Sequence, residues 1–309
     1  MSICLGLDTS NYTTSAAVYD AAADALRQVK RLLPVKEGAM GLRQSDAVFH
    51  HVRQLPDIME ELFSSQRERL DCVAASNRPQ ESEGSYMPCF LVGYGAAREL
   101  AAVNGVPLYT FTHQQGHVAA VLLGANRPEL VKQPFLAFHV SGGTTDALLV
   151  QPAAETIISC RVVSHSLDLK AGQLVDRVGG LLGLPFPAGP ALEALALQTE
   201  KPYKTRPVLK GADCSLSGVE NQCQDRMRRG EPAEEIARFC LDSILGTISA
   251  MTEKLLAEHG MMPVVYAGGV MSNSLIREEL QKRFDGVFAP PAYSADNAAG
   301  IAWLGSHFV

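Results

Sequence analysis

The sequence predicts an α/β protein made of two lobes of similar topology. Apolar runs of strand length, bounded by turn residues, alternate with longer segments of helical period, which is the pattern of an α/β chain. A strand, polar turn, strand unit also occurs twice. Residues 9–18 (TSNYTTSAAV) lie over residues 140–149 (VSGGTTDALL) without a gap, matching Ser10 with Ser141, Thr13 and Thr14 with Thr144 and Thr145, and Ala16 with Ala147. Two hairpins offset by 131 positions (140 − 9) imply two lobes whose hydroxyl-rich turns converge on a cleft. The competing reading, two unrelated hairpins with Thr-rich turns, stays open because short matches arise by chance. With 309 residues, 47% hydrophobic and 19% charged, the chain is long enough for a sizeable core. That composition excludes disordered, collagen-like and coiled-coil classes.

The elements follow in order. Residues 3–8 and 15–19 read as strands around a polar turn, and residues 26–35 add a third strand. A helix over 45–65 follows despite Pro56, then a short strand at 72–76 and a helix over 90–104 stopped by Gly105. Residues 107–112 form a strand that runs straight into a helix over 113–123. The pattern restarts with a strand at 135–140, a turn at 141–145 and a strand at 146–151. Helices are expected at 171–183 and 190–199, and a long amphipathic one at 236–259. A buried strand at 264–269 feeds a helix over 273–284, and a final helix follows Asp296. The expected division is an N-terminal lobe, 1–130, and a C-terminal lobe, 131–309, with the last helix (about 297–309) a candidate to pack back on the first lobe.

Charge and cysteine usage narrow the function. The net charge of −6 argues against a protein that grips nucleic acid unaided, since Lys and Arg neutralising phosphate supply most of that affinity. A nucleic-acid substrate would need a local basic patch or a basic partner. The seven cysteines are scattered and contain no C-x-x-C pair, which fits neither a disulfide framework nor a zinc knuckle. Reduced thiols, a start without a basic region, and no apolar run of membrane-spanning length predict a soluble cytoplasmic protein with no membrane partner.

Several residues are suited to chemistry. The turn at 141–145 (Ser-Gly-Gly-Thr-Thr) lacks bulk at two positions, so backbone N–H groups can approach an anion while hydroxyls add donors. Gly-Gly is also a good plain hairpin turn. Residues 267–273 (AGGVMSN) repeat the idea where a strand meets a helix N-terminus that Asn273 can cap, and such N-termini attract anions. No Walker motif and no G-x-G-x-x-G after the first strand is present, so a P-loop NTPase and a Rossmann dehydrogenase are poor readings. His113 and His117, four apart, stack on one helix face where they can share a metal. The intervening Gln-Gln-Gly lacks the general base of an H-E-x-x-H peptidase. Asp296 is one candidate third ligand; a helix cap is its alternative role. Asp8, at the end of the first strand, could hold a metal-bound water or a donor hydroxyl, and Asp176 and Arg177 could reach ribose or phosphate.

Taken together these blocks resemble the TsaD family, formerly known as O-sialoglycoprotein endopeptidases or glycoproteases. The resemblance runs through GLDTSNYTTSAAVYD, THQQGHVAAVLL, VSGGTTDALLV, LVDRVGGLLGLPFPAGP, SLSG, YAGGVMSNSLIREEL and SADNAAGIA, in that order. It implies the two-lobed actin-like ATPase (ASKHA, ribonuclease-H-like) fold with duplicated lobes. It implies one divalent metal, Fe2+ or Zn2+, on His113, His117 and Asp296, and an adenylate nucleotide (threonylcarbamoyl-AMP or ATP) at His139, Val140, Ser141, Gly142, Gly143, Asp176, Gly189 and Asn273. Asp8 and Ser10 are the candidate catalytic residues. The implied reaction moves a threonylcarbamoyl group from threonylcarbamoyl-adenylate to N6 of the adenosine next to the tRNA anticodon. The implied partners are tRNA, a TsaB-like paralogue and a TsaE-like ATPase.

The chain departs from the family pattern at defined places. E-T-S-C-D-E-T reads Asp8-Thr9-Ser10-Asn11-Tyr12-Thr13-Thr14, S-G-G-H-T carries Thr144 in place of histidine, and S-G-L-K ends in Glu220. A Gly-Pro-Gly loop is missing from residues 76–88. These departures define two alternatives: a non-catalytic nucleotide-binding paralogue that partners or regulates a true family enzyme, and a carbamoyl transferase acting on another acceptor.

Overall fold

The computed structural model describes residues 2–10, 12–34, 42–66, 68–290, 293 and 298–309. The chain divides into two compact units. The first comprises Met1–Gln133, Gln151–Arg161 and Ala292–Val309; the second comprises Pro134–Val150 and Val162–Pro291.

In the first unit, β1 (Ile3–Thr9), β2 (Thr13–Asp20), β3 (Ala25–Leu32), β4 (Cys72–Arg78) and β5 (Leu108–Thr112) form a sheet in the order β3-β2-β1-β4-β5. β1 is antiparallel to β2 and parallel to β4. As a central strand it is buried along nearly its whole length, and its sequence is accordingly an almost unbroken apolar run up to Asp8. β3, at the edge, carries Arg27, Lys30 and Arg31, charges that discourage pairing with a further chain. The helices are α1 (Gln44–Leu62), α2 (Phe90–Asn104) and α3 (His113–Gly124). Leu5, Leu7, Val18, Ile58, Val73 and Ala97 form the core beneath the sheet. The expected third strand stops at Leu32, and Val35 lies outside the described residues.

The second sheet repeats that plan. β6 (Phe135–Val140), β7 (Thr145–Ala153), β8 (Ile157–His165), β11 (Val264–Ala267) and β12 (Val287–Phe288) are ordered β12-β11-β6-β7-β8, while β9 (Val208–Lys210) and β10 (Asp213–Ser215) make a separate two-stranded ribbon. Again a central strand has an antiparallel hairpin partner on one side and a parallel strand on the other. The pairing register matches as well. Asp8 faces Ser15 and Thr9 faces Thr14 in the first hairpin; His139 faces Asp146 and Val140 faces Thr145 in the second. Each position is shifted by the same 131 residues that align the sequences (139 − 8, 146 − 15). The echo is therefore one hairpin built twice, strand for strand.

Around this sheet lie α4 (Ala171–Leu181), α5 (Gly189–Ala196), α6 (Ser217–Arg228), α7 (Ala233–His259) and α8 (Ser274–Phe284). α9 (Ala299–Ser306) belongs to the first unit. There Gly300 lies against α3 so closely that a Cβ would overlap the Gly116 carbonyl oxygen, and a Cβ on Gly6 would sit 2.5 Å from Ala302 N.

Some elements differ from the sequence reading. β8 was not expected, because Ser159, Arg161 and Ser164 break up its apolar residues. The ribbon and α6 were also missed: α6 is strongly polar and buries only Cys223. α7 starts three residues earlier than expected, since Pro232 flanks its first turn and Glu234 and Glu235 suit a helix N-terminus. The strand expected to reach residue 269 ends at Ala267, where Gly268 turns to φ +98° and a 3-10 turn (Gly269–Ser272) begins. All seven cysteines are buried and free of disulfides. Among the described residues no helix is long and apolar enough to cross a membrane.

Candidate functional site

In the first unit the polar cluster sits where three elements end. β1 delivers Asp8, β4 delivers Ser76, and α3 opens with His113. Thr112 fixes that opening by a reciprocal cap: its Oγ1 accepts from Gln115 N at 3.1 Å, and Gln115 Oε1 accepts from Thr112 N at 2.7 Å. Gln115 Nε2 also donates to Glu81 Oε1 at 2.7 Å and to Ile158 O at 2.6 Å. Glu81 in turn accepts from Ser159 Oγ and Cys160 N. The loop that departs from the family pattern is thus tied to the histidine helix through Glu81. Gly116, between the two histidines, gives α9 its close approach, since a Cβ there would sit 2.7 Å from Ile301 Cδ1.

Asp8 is fully buried. Its Oδ1 accepts from Ser76 Oγ and lies 3.0 Å from His113 Nδ1, whereas Oδ2 is buried with no hydrogen-bond partner. A His113 Nδ1–H donated to Asp8 puts the ligand lone pair on Nε2, the arrangement typical of a metal-bound imidazole. The His113 and His117 rings meet edge to face with centroids 4.3 Å apart. Asp296 and its neighbour Asn297 lie outside the described residues. Among the described residues no group of three or more His, Cys, Asp or Glu side chains is gathered for a metal.

Sequence reasoning passed over His51, which the fold brings under the β1–β2 turn. It is fully buried, with Nε2 2.8 Å from Ser10 O and Nδ1 2.8 Å from Thr14 Oγ1. Burial lowers its pKa and keeps the ring neutral, so Nε2–H donates to the carbonyl and Nδ1 accepts from the hydroxyl. Ser10 is itself buried, and Tyr12 is partly exposed. No spacing rule would have found His51, because its partners are contributed by a hairpin roughly forty residues earlier.

The second unit holds a cavity of about 460 Å³ whose wall includes Ser141, Gly142, Asp176, Gly189, Glu193 and Asn273. Five of the eight residues that the resemblance assigns to the adenylate therefore meet at one cavity, while His139, Val140 and Gly143 do not line it. Gly172 makes this possible. A Cβ there would lie 2.5 Å from Gly142 N, so its absence lets the α4 N-terminus rest on the turn, with Gly172 N donating to Ser141 O at 3.1 Å. The turn itself is braced from within: Ser141 Oγ accepts from Gly143 N and Thr144 N, and Thr144 Oγ1 links Ser141 Oγ (2.9 Å) to His139 Nδ1 (3.2 Å). Thr144, which replaces a family histidine, is a structural link in that chain.

Two details correct the sequence reading. The α8 N-terminus is not an open anion site, because Glu193 already takes Ser274 N at 2.7 Å and Asn273 Oδ1 caps Ile276 N at 3.2 Å. Arg177 does not line the cavity; it pairs with Glu220 at 3.1 Å. Asp176 uses Oδ1 to hold Ala188 N at 2.9 Å, just ahead of α5.

Two sheets of one topology, each with a hydroxyl-rich hairpin turn, define a two-lobed actin-like ATPase fold. Solved structures of that fold align along the whole chain. Full-length HypF in its phosphate- and nucleotide-bound form matches at TM-score 0.61 and 13% identity, over 99% of this chain and 55% of HypF, so the chain spans about half of that protein. Component A of the Acidaminococcus fermentans (R)-2-hydroxyglutaryl-CoA dehydratase matches at TM-score 0.55 and 14% identity, over 100% and 99% of the two chains. A ROK family glucokinase from Streptomyces griseus, solved with glucose and AMPPNP, matches at TM-score 0.51 and 12% identity, over 98% and 99%. At such identities the likeness concerns the fold alone. Sequence comparison is more specific. The tRNA N6-adenosine threonylcarbamoyltransferase of Methanopyrus kandleri is 29% identical over 311 residues, covering 98% of this chain and 86% of that protein. The TsaD family model, described as tRNA N6-adenosine threonylcarbamoyltransferase, matches residues 36–303, and the chain belongs to this family.

Proposed function

We propose that this protein transfers a threonylcarbamoyl group from threonylcarbamoyl-adenylate to N6 of the adenosine next to the anticodon of tRNA, with a divalent metal bound at His113, His117 and Asp296. The observation that carries the proposal is the buried, unpartnered Asp8 Oδ2 beside the His113–His117 pair. A buried carboxylate oxygen without a donor is costly, and a nearby cation offsets that cost, so the donor chemistry fits Fe2+ or Zn2+. When bound, such a cation polarises the carbamoyl carbonyl and orients the threonyl part.

The chain's own residues do the rest. In the second unit Ser141, Gly142 and Asn273, which line the cavity, hold the adenylate, and Asp176, with Oδ2 uncommitted by the Ala188 bond, accepts from a ribose hydroxyl. Holding the AMP leaving group rigidly supplies the orientation that a weakly nucleophilic exocyclic amine needs. In the first unit Asp8 fixes the His113 ring, and His51 fixes the Ser10 carbonyl and with it the turn after β1. The amine forms the new C–N bond as the bond to the AMP phosphate oxygen breaks, and the amine proton leaves to solvent or to phosphate. We place the protein in the cytoplasm, working with a TsaB-like paralogue and a TsaE-like ATPase; the net charge of −6 suits a subunit whose tRNA affinity is shared with partners.

The test is a nucleoside mass profile of tRNA from a strain lacking the gene, rescued with wild type or with His113→Ala. The expected result is loss of threonylcarbamoyladenosine restored by wild type alone. An unchanged profile after deletion would defeat the proposal and favour a regulatory paralogue or another acceptor.

A further inference from the structure

A second cavity, of about 390 Å³, lies in the second unit between the 204–208 segment, α6 and α7. Lys204, Arg206 and Arg226 line it together with Ser215 and Gln222, and its wall includes no carboxylate. The segment is clamped so that its cations point away from the core. Exposure alternates along residues 203–207, with Tyr203, Thr205 and Pro207 half-buried and Lys204 and Arg206 exposed. Tyr203 N donates to Asp242 Oδ2 at 2.8 Å, and Gly246 lets the segment lie on α7, since a Cβ there would overlap Thr205 Oγ1.

The nearby acids are already committed. Asp242 pairs with Arg238 at 3.0 Å, Glu235 with Lys201 at 3.0 Å, and Glu231 with Arg226 at 2.5 Å. Among the described residues no carboxylate pairs with Lys204 or Arg206, so two cations in a concave wall are left without counter-ions in a chain that is acidic as a whole. Arg226 Cζ lies over the Phe239 ring, 4.0 Å from its centroid, and its Nη1 pairs with Glu231, so the guanidinium is held in place by two contacts. Two cations without counter-ions, the Glu231-paired Arg226 beside them, a hydroxyl and an amide donor suit the oxygens of phosphate.

We infer that this cavity binds phosphodiester groups of the tRNA backbone, apart from the adenylate cavity. The inference rests on the tRNA reading above and supplies a local basic patch, one of the two features by which a chain of this charge could take a nucleic acid, the other being a basic partner. It is tested on the full-length protein by measuring affinity for a transcribed tRNA against salt concentration, for wild type and for Lys204→Glu/Arg206→Glu. Both positions are exposed and outside the core, and an unchanged unfolding midpoint verifies the fold. The expected result is at least tenfold weaker tRNA binding, with the slope of log K against log salt reduced by about 2, one per lost phosphate contact. Lys204→Arg/Arg206→Lys should bind tRNA as wild type does, and AMP affinity should not change in either variant. Equal tRNA affinity and slope in wild type and the charge-reversed variant would overturn the inference while leaving the transfer reaction untouched. So would tight binding of inorganic phosphate at the cavity without effect on tRNA, or a wild-type protein with no tRNA affinity of its own. The nucleoside profile decides the reaction separately.

Discussion

Asp8 gathers two donors on one oxygen and none on the other, in a place where water does not reach it. Asp8→Asn keeps an acceptor for Ser76 and His113 but removes the charge. We expect bound metal, measured by elemental analysis after equilibration at limiting Fe2+ or Zn2+, to fall about 10- to 100-fold in affinity while the fold persists. Metal affinity equal to wild type would remove Asp8 from that role. His51 provides a pH signature. Its pKa in the folded chain lies below the ordinary histidine value of 6.5 because burial disfavours the imidazolium. The unfolded chain therefore binds the proton first as pH falls, so stability contributed by this site is present above pH 6.5 and declines below it. Urea midpoints of wild type should drop between pH 7 and pH 5.5 more than those of His51→Gln, and parallel curves would refute the assignment. The histidine pair was legible from a four-residue spacing, as were the glycine turns. His51, Ser76 and Glu81 were not, because each acquires its partner from a distant strand or helix.

At the scale of elements, small residues decide where helices rest. Gly172 places the α4 N-terminus on the 141–145 turn, and Gly116 and Gly300 let α9 lie on the helix that carries the histidines. Gly172→Ala would force a Cβ to 2.5 Å from Gly142 N, against backbone that cannot swing aside. Overpacking of this kind costs about 1–3 kcal/mol, and here it also opens the turn that forms one wall of the cavity proposed for the adenylate. The variant should therefore bind AMP at least tenfold more weakly by calorimetry, whereas Gly180→Ala, with open space around its Cβ, should bind AMP as wild type does. Equal loss in both variants would mean that the close approach at Gly172 is not what sets the geometry. Most helices and strands were readable from periodicity and caps. Those missed, β8, the β9–β10 ribbon and α6, carry broken or polar patterns that only their neighbours stabilise.

Across the whole molecule, one topology occurs twice, and the hairpin register repeats with a constant offset. A gapless ten-residue alignment was enough to suggest this, because strand register and turn length leave no room for insertion without turning every side chain to the opposite face. By itself the sequence determined the α/β class, the duplicated hairpin, the family resemblance and the residue types suited to metal and adenylate, since these reside in periodicity and short local motifs. Only the tertiary structure decided which assigned residues share a cavity and that Thr144 braces a turn. It also showed that Glu193 closes the α8 N-terminus and that the acids around Lys204 and Arg206 are already paired. Such facts depend on which distant side chain fills or neutralises a given space, and local sequence does not encode the identity of that neighbour.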